Sequence, residues 1–111
     1  MTLTIERIPT LGDNYTYLVI CDRTQEAAII DAPEAEPVIR RVEASGARVT
    51  KILSTHHHPD HSAANAELAE RYGVPVIAHV SDKARVPGFS QGVDEGDTVE
   101  VGEHTARVLF I

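Results

Sequence analysis

The sequence has very little cysteine, no run of basic residues and no long apolar stretch. A single cysteine, Cys21, among 111 residues excludes an internal disulfide. Ten Lys and Arg against 17 Asp and Glu give a net charge of −7, so binding of nucleic acid or anionic membrane through bulk charge is not expected. No stretch reaches the roughly 20 apolar residues of a membrane span, and residues 1–7 lack the layout of a signal peptide. We therefore expect a cytoplasmic protein with no nucleic-acid or membrane partner.

Hydrophobic patterning predicts a mixed α/β layer. A chain of 111 residues forms one domain at most, so no second domain is expected. Short apolar or alternating segments predict strands, and residues 81–96 between the last two groups of strands are predicted to be a loop. The predicted strands are Thr2–Ile8, Tyr15–Cys21, Ala27–Asp31, Arg48–Ser54, Pro75–His79, Thr98–Val101 and Thr105–Ile111. Because Tyr15–Cys21 is almost wholly apolar, we expect this strand to be covered on both faces.

Two segments have the period of amphipathic helices. The first carries apolar residues at i, i+3, i+4 and i+7, with Pro33 expected in its first turn and Gly46 at its end. Those apolar residues are Ala35, Val38, Ile39 and Val42. The second, at 62–72, is rich in Ala, Leu and Glu and ends at Gly73. Its apolar stripe consists of Ala64, Leu68 and Tyr72.

Four histidines and an aspartate crowd into residues 56–61, between the fourth strand and the second helix. Imidazole and carboxylate are the ligands that Zn²⁺, Fe²⁺ and Mn²⁺ accept. In an extended segment residues two apart face the same way, so His56 and His58 can hold one ion while His57 points elsewhere. Asp60 and His61 follow closely and can hold a second ion. The spacing therefore predicts a site for two metals at the carboxyl edge of the sheet.

Two simpler interpretations of the histidines deserve weight. An expression tag is a uniform terminal run, whereas this one is interior and interrupted. A solvated His-rich loop can also bind metal adventitiously. A catalytic zinc usually has three protein ligands, so each pair is one short. The other candidates are His79, for which a capping role is the alternative, and His104, which precedes the last strand at the wrong end.

The last four residues form an apolar run, Val108–Ile111. Chain ends are usually solvated, and an unpaired apolar edge favours association. We therefore expect either a truncated fold or self-association through this C-terminal strand.

The motif gives the chain a resemblance to the metallo-β-lactamase superfamily and, within it, to the hydroxyacylglutathione hydrolases (glyoxalase II). Thr-His-x-His-x-Asp-His stands at 55–61, and Gly-Asp-Asn-Tyr-Thr-Tyr-Leu-Val at 12–19 is similar to a stretch near the start of these hydrolases. Residues 29–33, with Asp31 at their centre, resemble the segment that buttresses the metal loop. Ser62-Ala63-Ala64 departs from the glycines that often follow the motif, whereas Asn65 matches.

The resemblance implies half of an αββα sandwich: a mixed sheet with helices on one face, with residues 1–111 as the N-terminal part of the domain. It implies two divalent metal ions, zinc first with iron or manganese as alternatives, held by His56, His58, Asp60 and His61. Asp60 would serve catalysis as well as metal binding, and Asp31 would fix the loop from behind. The remaining ligands would lie beyond Ile111. The substrate implied is a small-molecule thioester such as S-lactoylglutathione, hydrolysed by a metal-activated water.

Other functions share the same loop. A persulfide dioxygenase or a lactonase on this fold would carry the same motif, so the motif does not separate them. A catalytically inactive half-domain that only binds metal is an alternative of a different class. A nuclease of the superfamily is disfavoured by the acidic charge and the lack of clustered Lys and Arg.

Overall fold

A six-stranded mixed sheet forms the centre of the computed structural model, which describes residues 3–12, 14–55, 62–83 and 85–108. The strands of this sheet are β1 Leu3–Thr10, β2 Asn14–Cys21, β3 Glu26–Ile30, β4 Arg48–Leu53, β5 Val76–His79 and β6 Phe89–Val93. The helices are α1 Glu36–Ser45 and α2 Asn65–Tyr72, with a short 3-10 helix at Val80–Asp82. A separate hairpin consists of β7 Thr98–Val101 and β8 His104–Arg107. The predicted α/β architecture is confirmed.

The sheet changes from antiparallel to parallel at β3. Strands β1, β2 and β3 pair antiparallel, whereas β3, β4, β5 and β6 pair parallel in sheet order. Parallel neighbours need a crossover, which α1 supplies between β3 and β4 and α2 between β4 and β5. The carboxyl ends of four strands therefore meet at one edge, where sites form in open α/β sheets.

One face of the sheet packs against both helices, as the patterning predicted. Val38 and Val42 of α1 and Leu68 of α2 belong to the same buried cluster as Ile29 and Ile52 of the central strands. Gly46 and Gly73 end the two helices in the left-handed conformation, also as predicted. Within the described ranges, none of the helices has the length and apolar character needed to cross a membrane.

The start of α1 differs from the prediction. The helix begins at Glu36, with Pro37 in its first turn, so the expected placement of Pro33 in that turn is wrong. Both prolines fit a helix start, because proline lacks the N–H that the first turn leaves unpaired. Ala35 is the N-terminal cap residue, and its carbonyl accepts from Ile39 N at 2.9 Å.

The segment 81–96, predicted to be a loop, contains β6 and part of the 3-10 helix. Strand β6 has Ser90, Gln91 and Gly92 at its centre, all three exposed, so its composition gives no strand signal. It forms by pairing parallel with β5, from Val76 opposite Phe89 to His79 opposite Val93. Only Pro87-Gly88, recognised as a turn, marks its start.

Strand β2 is covered on both faces along only half its length. Leu18 to Cys21 are buried, but Tyr15 and Tyr17 are 44% and 38% exposed, which corrects the expectation for the whole strand. The hairpin contributes Val101, which packs on Val19, whereas Tyr15 is covered only in part, by the Arg7 guanidinium at 4.6 Å from its ring centre.

Candidate metal centre

Asp31 lies directly after β3, at the carboxyl edge of the sheet, and is tightly held. Its backbone has a φ of 59°, a conformation that few non-glycine residues adopt and that is often associated with function. Its N–H donates to Leu53 O at 3.0 Å, and the Thr16 hydroxyl donates to its carbonyl at 2.7 Å. These bonds fix the residue in the unusual conformation.

The Asp31 carboxylate binds Thr55, the residue immediately before His56. Oδ1 accepts from Thr55 N at 2.8 Å, and Oδ2 accepts from the Thr55 hydroxyl at 2.6 Å. The carboxyl group is buried, and hydrogen bonds to an ionised acceptor are stronger than neutral ones. Asp31 thus anchors the chain where the histidine motif begins.

The residues that follow the motif are held by the same stretch. Ala64 N donates to Ala32 O at 2.9 Å, so the residue next to Asp31 binds the residue that precedes α2. Residues 56–61, which include the predicted ligands His56, His58, Asp60 and His61, lie outside the described residues. The structure therefore brings both flanks of the motif to the Asp31–Ala32 pair.

His79 has a capping role in the structure. Its Nδ1 accepts from Ser81 N at 3.1 Å at the start of the 3-10 helix, which leaves Nε2 to donate to Asp94 Oδ1 at 3.0 Å. The N–H of Glu95 and then the imidazole of His79 lower the pKa of the Asp94 carboxyl. His104 begins β8 and pairs with Val101. Among the described side chains, no group of three His, Cys, Asp or Glu could hold a metal.

A cavity of about 690 Å³ lies between the carboxyl edge of the sheet and the hairpin. Ser54 and Thr55 line it next to the motif, while Leu53, Ile77 and Val93 give it mostly apolar walls. Ser54 is fixed by its N–H, which donates to Ile77 O at 2.9 Å. A mostly apolar cavity therefore lies beside Thr55, the residue that precedes the histidines.

Two contributors to this edge were not predicted from the residues. The role of the Thr55 hydroxyl cannot be predicted from its place in the motif. Its partner, the Asp31 carboxylate, is 24 positions away in the sequence and meets it only in the folded chain. Asn65 was noted only as a match to the family, yet its side chain is fully buried at the start of α2. An asparagine beside a histidine cluster is the signal that could have identified it.

The donor set of the motif fits a divalent cation. Imidazole and carboxylate are the preferred ligands of zinc and related ions, and outer carboxylates commonly orient such ligands. Asp31, buried and bonded to the residue before His56, is a carboxylate in a suitable place for this role. Its assignment as the buttress of the loop, like the four ligands, stays a prediction.

Comparison with known proteins identifies the family. The family model of the metallo-β-lactamase superfamily matches residues 9–108. A hydroxyacylglutathione hydrolase of Rhodospirillum rubrum is 44% identical over 108 residues, covering 97% of this chain and 42% of the relative. One of Bradyrhizobium sp. (strain ORS 278) is 45% identical over 109 residues, covering 98% and 43%. The chain thus spans less than half the length of the curated relatives it matches.

Solved structures agree with this fold. A metallo-β-lactamase from Staphylococcus aureus superposes with a TM-score of 0.83 at 22% identity, covering 98% of this chain and 34% of the other. The ETHE1 protein from Myxococcus xanthus gives a TM-score of 0.74 at 29% identity, covering 92% and 45%. The predicted resemblance is confirmed: this chain belongs to the metallo-β-lactamase superfamily.

Proposed function

We propose that this chain provides part of the active site of a metal-dependent hydrolase that cleaves thioesters such as S-lactoylglutathione. The observation that carries the proposal is its 44–45% identity to proteins named hydroxyacylglutathione hydrolase, along nearly all of this chain. The Asp31–Thr55 anchor supports it, because the anchor fixes the first residue of the shared motif. The predicted location is the cytoplasm.

His56 and His58 would hold one divalent cation, and Asp60 with His61 a second. Zinc is the first expectation, with iron or manganese as alternatives. When bound, such ions supply Lewis-acid chemistry, polarising a carbonyl and lowering the pKa of water. Asp31 would keep Thr55, and through it the start of the ligand segment, in one position.

The cavity beside Thr55 supports a small-molecule substrate. Its walls at Leu53, Ile77 and Val93 are apolar, and ligand sites combine such walls with a few polar groups. The polar residues that line the cavity are Ser54, Thr55, His79, Ser81, Asp82 and Arg107. The net charge of −7 argues against nucleic acid as the substrate.

The test uses two adjacent histidines of the same motif. The chain is mixed with zinc and a thioester, and release of the free thiol is followed for the wild type, His58→Ala and the control His57→Ala. Where the wild type cleaves the thioester, His57→Ala should cleave it as well, because the ring of His57 is predicted to point away from the metals. His58→Ala should fall to the rate measured without protein.

Other results would decide between the alternatives. A wild-type chain that binds zinc but does not cleave the thioester would favour the inactive metal-binding half-domain. Metal analysis, together with assays for lactone opening and persulfide oxidation, distinguishes the rival enzymes on the same fold. Equal loss of turnover in both histidine variants would contradict the proposed ligand spacing.

A further inference from the structure

Ser81, His79 and Asp94 are joined by hydrogen bonds beside the cavity. The Ser81 hydroxyl lies 2.7 Å from His79 Nδ1, and His79 Nε2 lies 3.0 Å from Asp94 Oδ1. Because Ser81 N also donates to Nδ1, that nitrogen is the unprotonated one, and Nε2 carries the proton that faces the carboxylate. The hydroxyl of Ser81 therefore donates to a basic nitrogen of a ring that a carboxylate holds on its other side.

These three side chains match the parts of a serine nucleophile. Such a site combines a hydroxyl, an imidazole that accepts its proton, and a carboxylate that holds the imidazole N–H. In the usual arrangement Nε2 faces the serine, whereas here the two ring nitrogens are exchanged and each still has its partner. A capping role accounts for the bond from Ser81 N, but a cap requires neither the Ser81 hydroxyl nor Asp94.

Further bonds hold the three residues in place. Arg85 Nη2 donates to the carbonyl of Ser81 at 3.0 Å, and Glu95 N donates to Asp94 Oδ1 at 2.7 Å. The side chain of His79, at the end of β5, is only 18% exposed. The imidazole is thus largely enclosed, while Ser81 is exposed and open to a substrate.

We propose that Ser81 is the nucleophile and His79 the base in a metal-independent hydrolysis of esters with an apolar acyl group. The substrate class follows from the cavity, which both residues line together with apolar walls at Leu53, Ile77 and Val93. This activity is distinct from the proposed thioester hydrolysis, because its nucleophile is a side chain and not a metal-activated water.

The reaction has two steps. The Ser81 oxygen bonds to the ester carbonyl carbon while its proton passes to His79 Nδ1, and the ester C–O bond breaks as the alcohol leaves with that proton. Water then attacks the acyl-serine and gives one proton to Nδ1, which returns it to the Ser81 oxygen as the acid is released. Asp94 is a positioning residue that keeps the Nε2 proton on the far side of the ring.

The experiment treats the 111-residue chain with a fluorophosphonate in the presence of EDTA. Phosphorus bonds to an activated serine with loss of fluoride, and mass spectrometry locates the adduct. We expect an adduct at Ser81 and hydrolysis of p-nitrophenyl butyrate in the same buffer. Ser81→Ala should abolish both and unfold in urea like the wild type, because its backbone N–H still donates to His79.

The other variants test the roles of the partners. His79→Ala should slow labelling by about 100-fold or more, since the base is lost. Asp94→Asn should slow it less, and Asp94→Glu, which retains a carboxylate, should recover part of the rate. Ser45→Ala is the control, because the Ser45 hydroxyl donates to a backbone carbonyl, that of Val42 at 2.8 Å, and labelling should not change.

Several results would overturn the proposal. A wild-type chain without an adduct at Ser81 has no activated serine there, and hydrolysis that persists in Ser81→Ala has another nucleophile. Labelling of His79→Ala at the wild-type rate would remove the imidazole from the reaction; if that variant does not fold, an unchanged rate in Asp94→Asn has the same force. None of these results bears on the thioester assay, which tests the metal centre separately.

Discussion

The two faces of the six-stranded sheet are stabilised in different ways. On the helix face, side chains from both helices and five strands form one continuous buried cluster. On the opposite face, the hairpin β7–β8 forms only small buried clusters with the sheet. In one of them Val101 packs on Val19 and Ala28, and in the other Val99 packs on Ile77 and Val93. Beside it lie a cavity of about 690 Å³ and, on β1, Ile5 with 61% of its surface exposed.

On the hairpin face, close backbone approach and polar contacts compensate in part for the smaller buried apolar area. Gly102 sits directly against Cys21 and Thr24, and Lys51 Nζ donates to the carbonyl of Glu100. The Arg23–Glu103 ion pair, at 3.5 Å, is too exposed to add much. The helix face thus relies on buried apolar area, whereas the hairpin face relies on a few contacts that require specific residues.

The largest expected effect is on the helix face. Ile29→Ala removes a fully buried side chain from the centre of the sheet and should lower the free energy of unfolding by about 2–5 kcal/mol. Ile5→Ala, on the exposed outer face of β1, should change it by about 0.5 kcal/mol or less. Urea unfolding of both variants checks the difference. A comparable loss for Ile5→Ala would show that the outer face is covered in solution.

Gly102 gives the sharpest test of the hairpin face. It has a φ of 58°, and an added Cβ would lie 2.4 Å from Thr24 Oγ1 and 2.5 Å from Cys21 Cβ. The control is Gly46, with a similar φ of 71° and nothing within 4 Å of an added Cβ. Both alanine variants carry the same conformational penalty, so Gly102→Ala should be less stable by about a further 1–3 kcal/mol because of overpacking.

Thermal unfolding of the two glycine variants measures this difference. Equal losses of stability in the two variants would mean that the hairpin moves away from the sheet at little cost. The hairpin face would then be held even more weakly, relative to the helix face, than its contacts indicate.

A smaller effect on stability is expected at the carboxyl edge of the sheet, where Thr55 precedes the histidine motif. Thr55→Val removes the hydroxyl that donates to Asp31 and should lower the free energy of unfolding by about 1 kcal/mol. Thr50→Val is the matched control, because its hydroxyl makes a longer bond of 3.3 Å to the neutral carbonyl of Ala27. If the two variants lose the same stability, the Asp31 carboxylate does not hold Thr55 as described.

Sequence predicted the helix face better than the hairpin face, for a physical reason. The stripe of Val38, Ile39 and Val42 reports burial directly, because a helix repeats its buried positions every three or four residues. Strand β6 gives no such signal, since its pairing with β5 creates it. The extent to which β7–β8 covers β2 is likewise set by tertiary contacts, so the exposure of Tyr15 and Tyr17 was not foreseen.

The candidate site likewise has a part that the sequence predicts and a part that depends on tertiary contacts. The motif between Thr55 and Ser62 is read from the order of residues, because metal ligands must be of particular types. The bond from Thr55 to Asp31 joins residues 24 positions apart, so spacing alone does not show it. The burial of the Asn65 amide, which has no hydrogen-bond partner among the residues that the structure describes, is visible only once the surrounding chain has folded around it.

A pH dependence is expected at the hairpin contact. The N–H of Glu103 and then the hydroxyl of Thr24 hydrogen-bond to Cys21 and lower the pKa of its thiol from 9.0 to about 7. Because the pKa is lower in the folded state, the thiolate stabilises the fold fully above about pH 9. This contribution is lost as the pH falls towards 7.

The only cysteine of the chain makes this prediction simple to measure. The ultraviolet absorbance of the thiolate should titrate with a midpoint near 7, and the melting temperature of the wild type should rise between pH 7 and 9 relative to that of Cys21→Ala. Thr24→Val removes one of the donors and should move the midpoint upwards. A wild-type midpoint near 9 would show that the hairpin does not present its backbone to Cys21 in solution, and the contacts at Gly102 would then lose their main support.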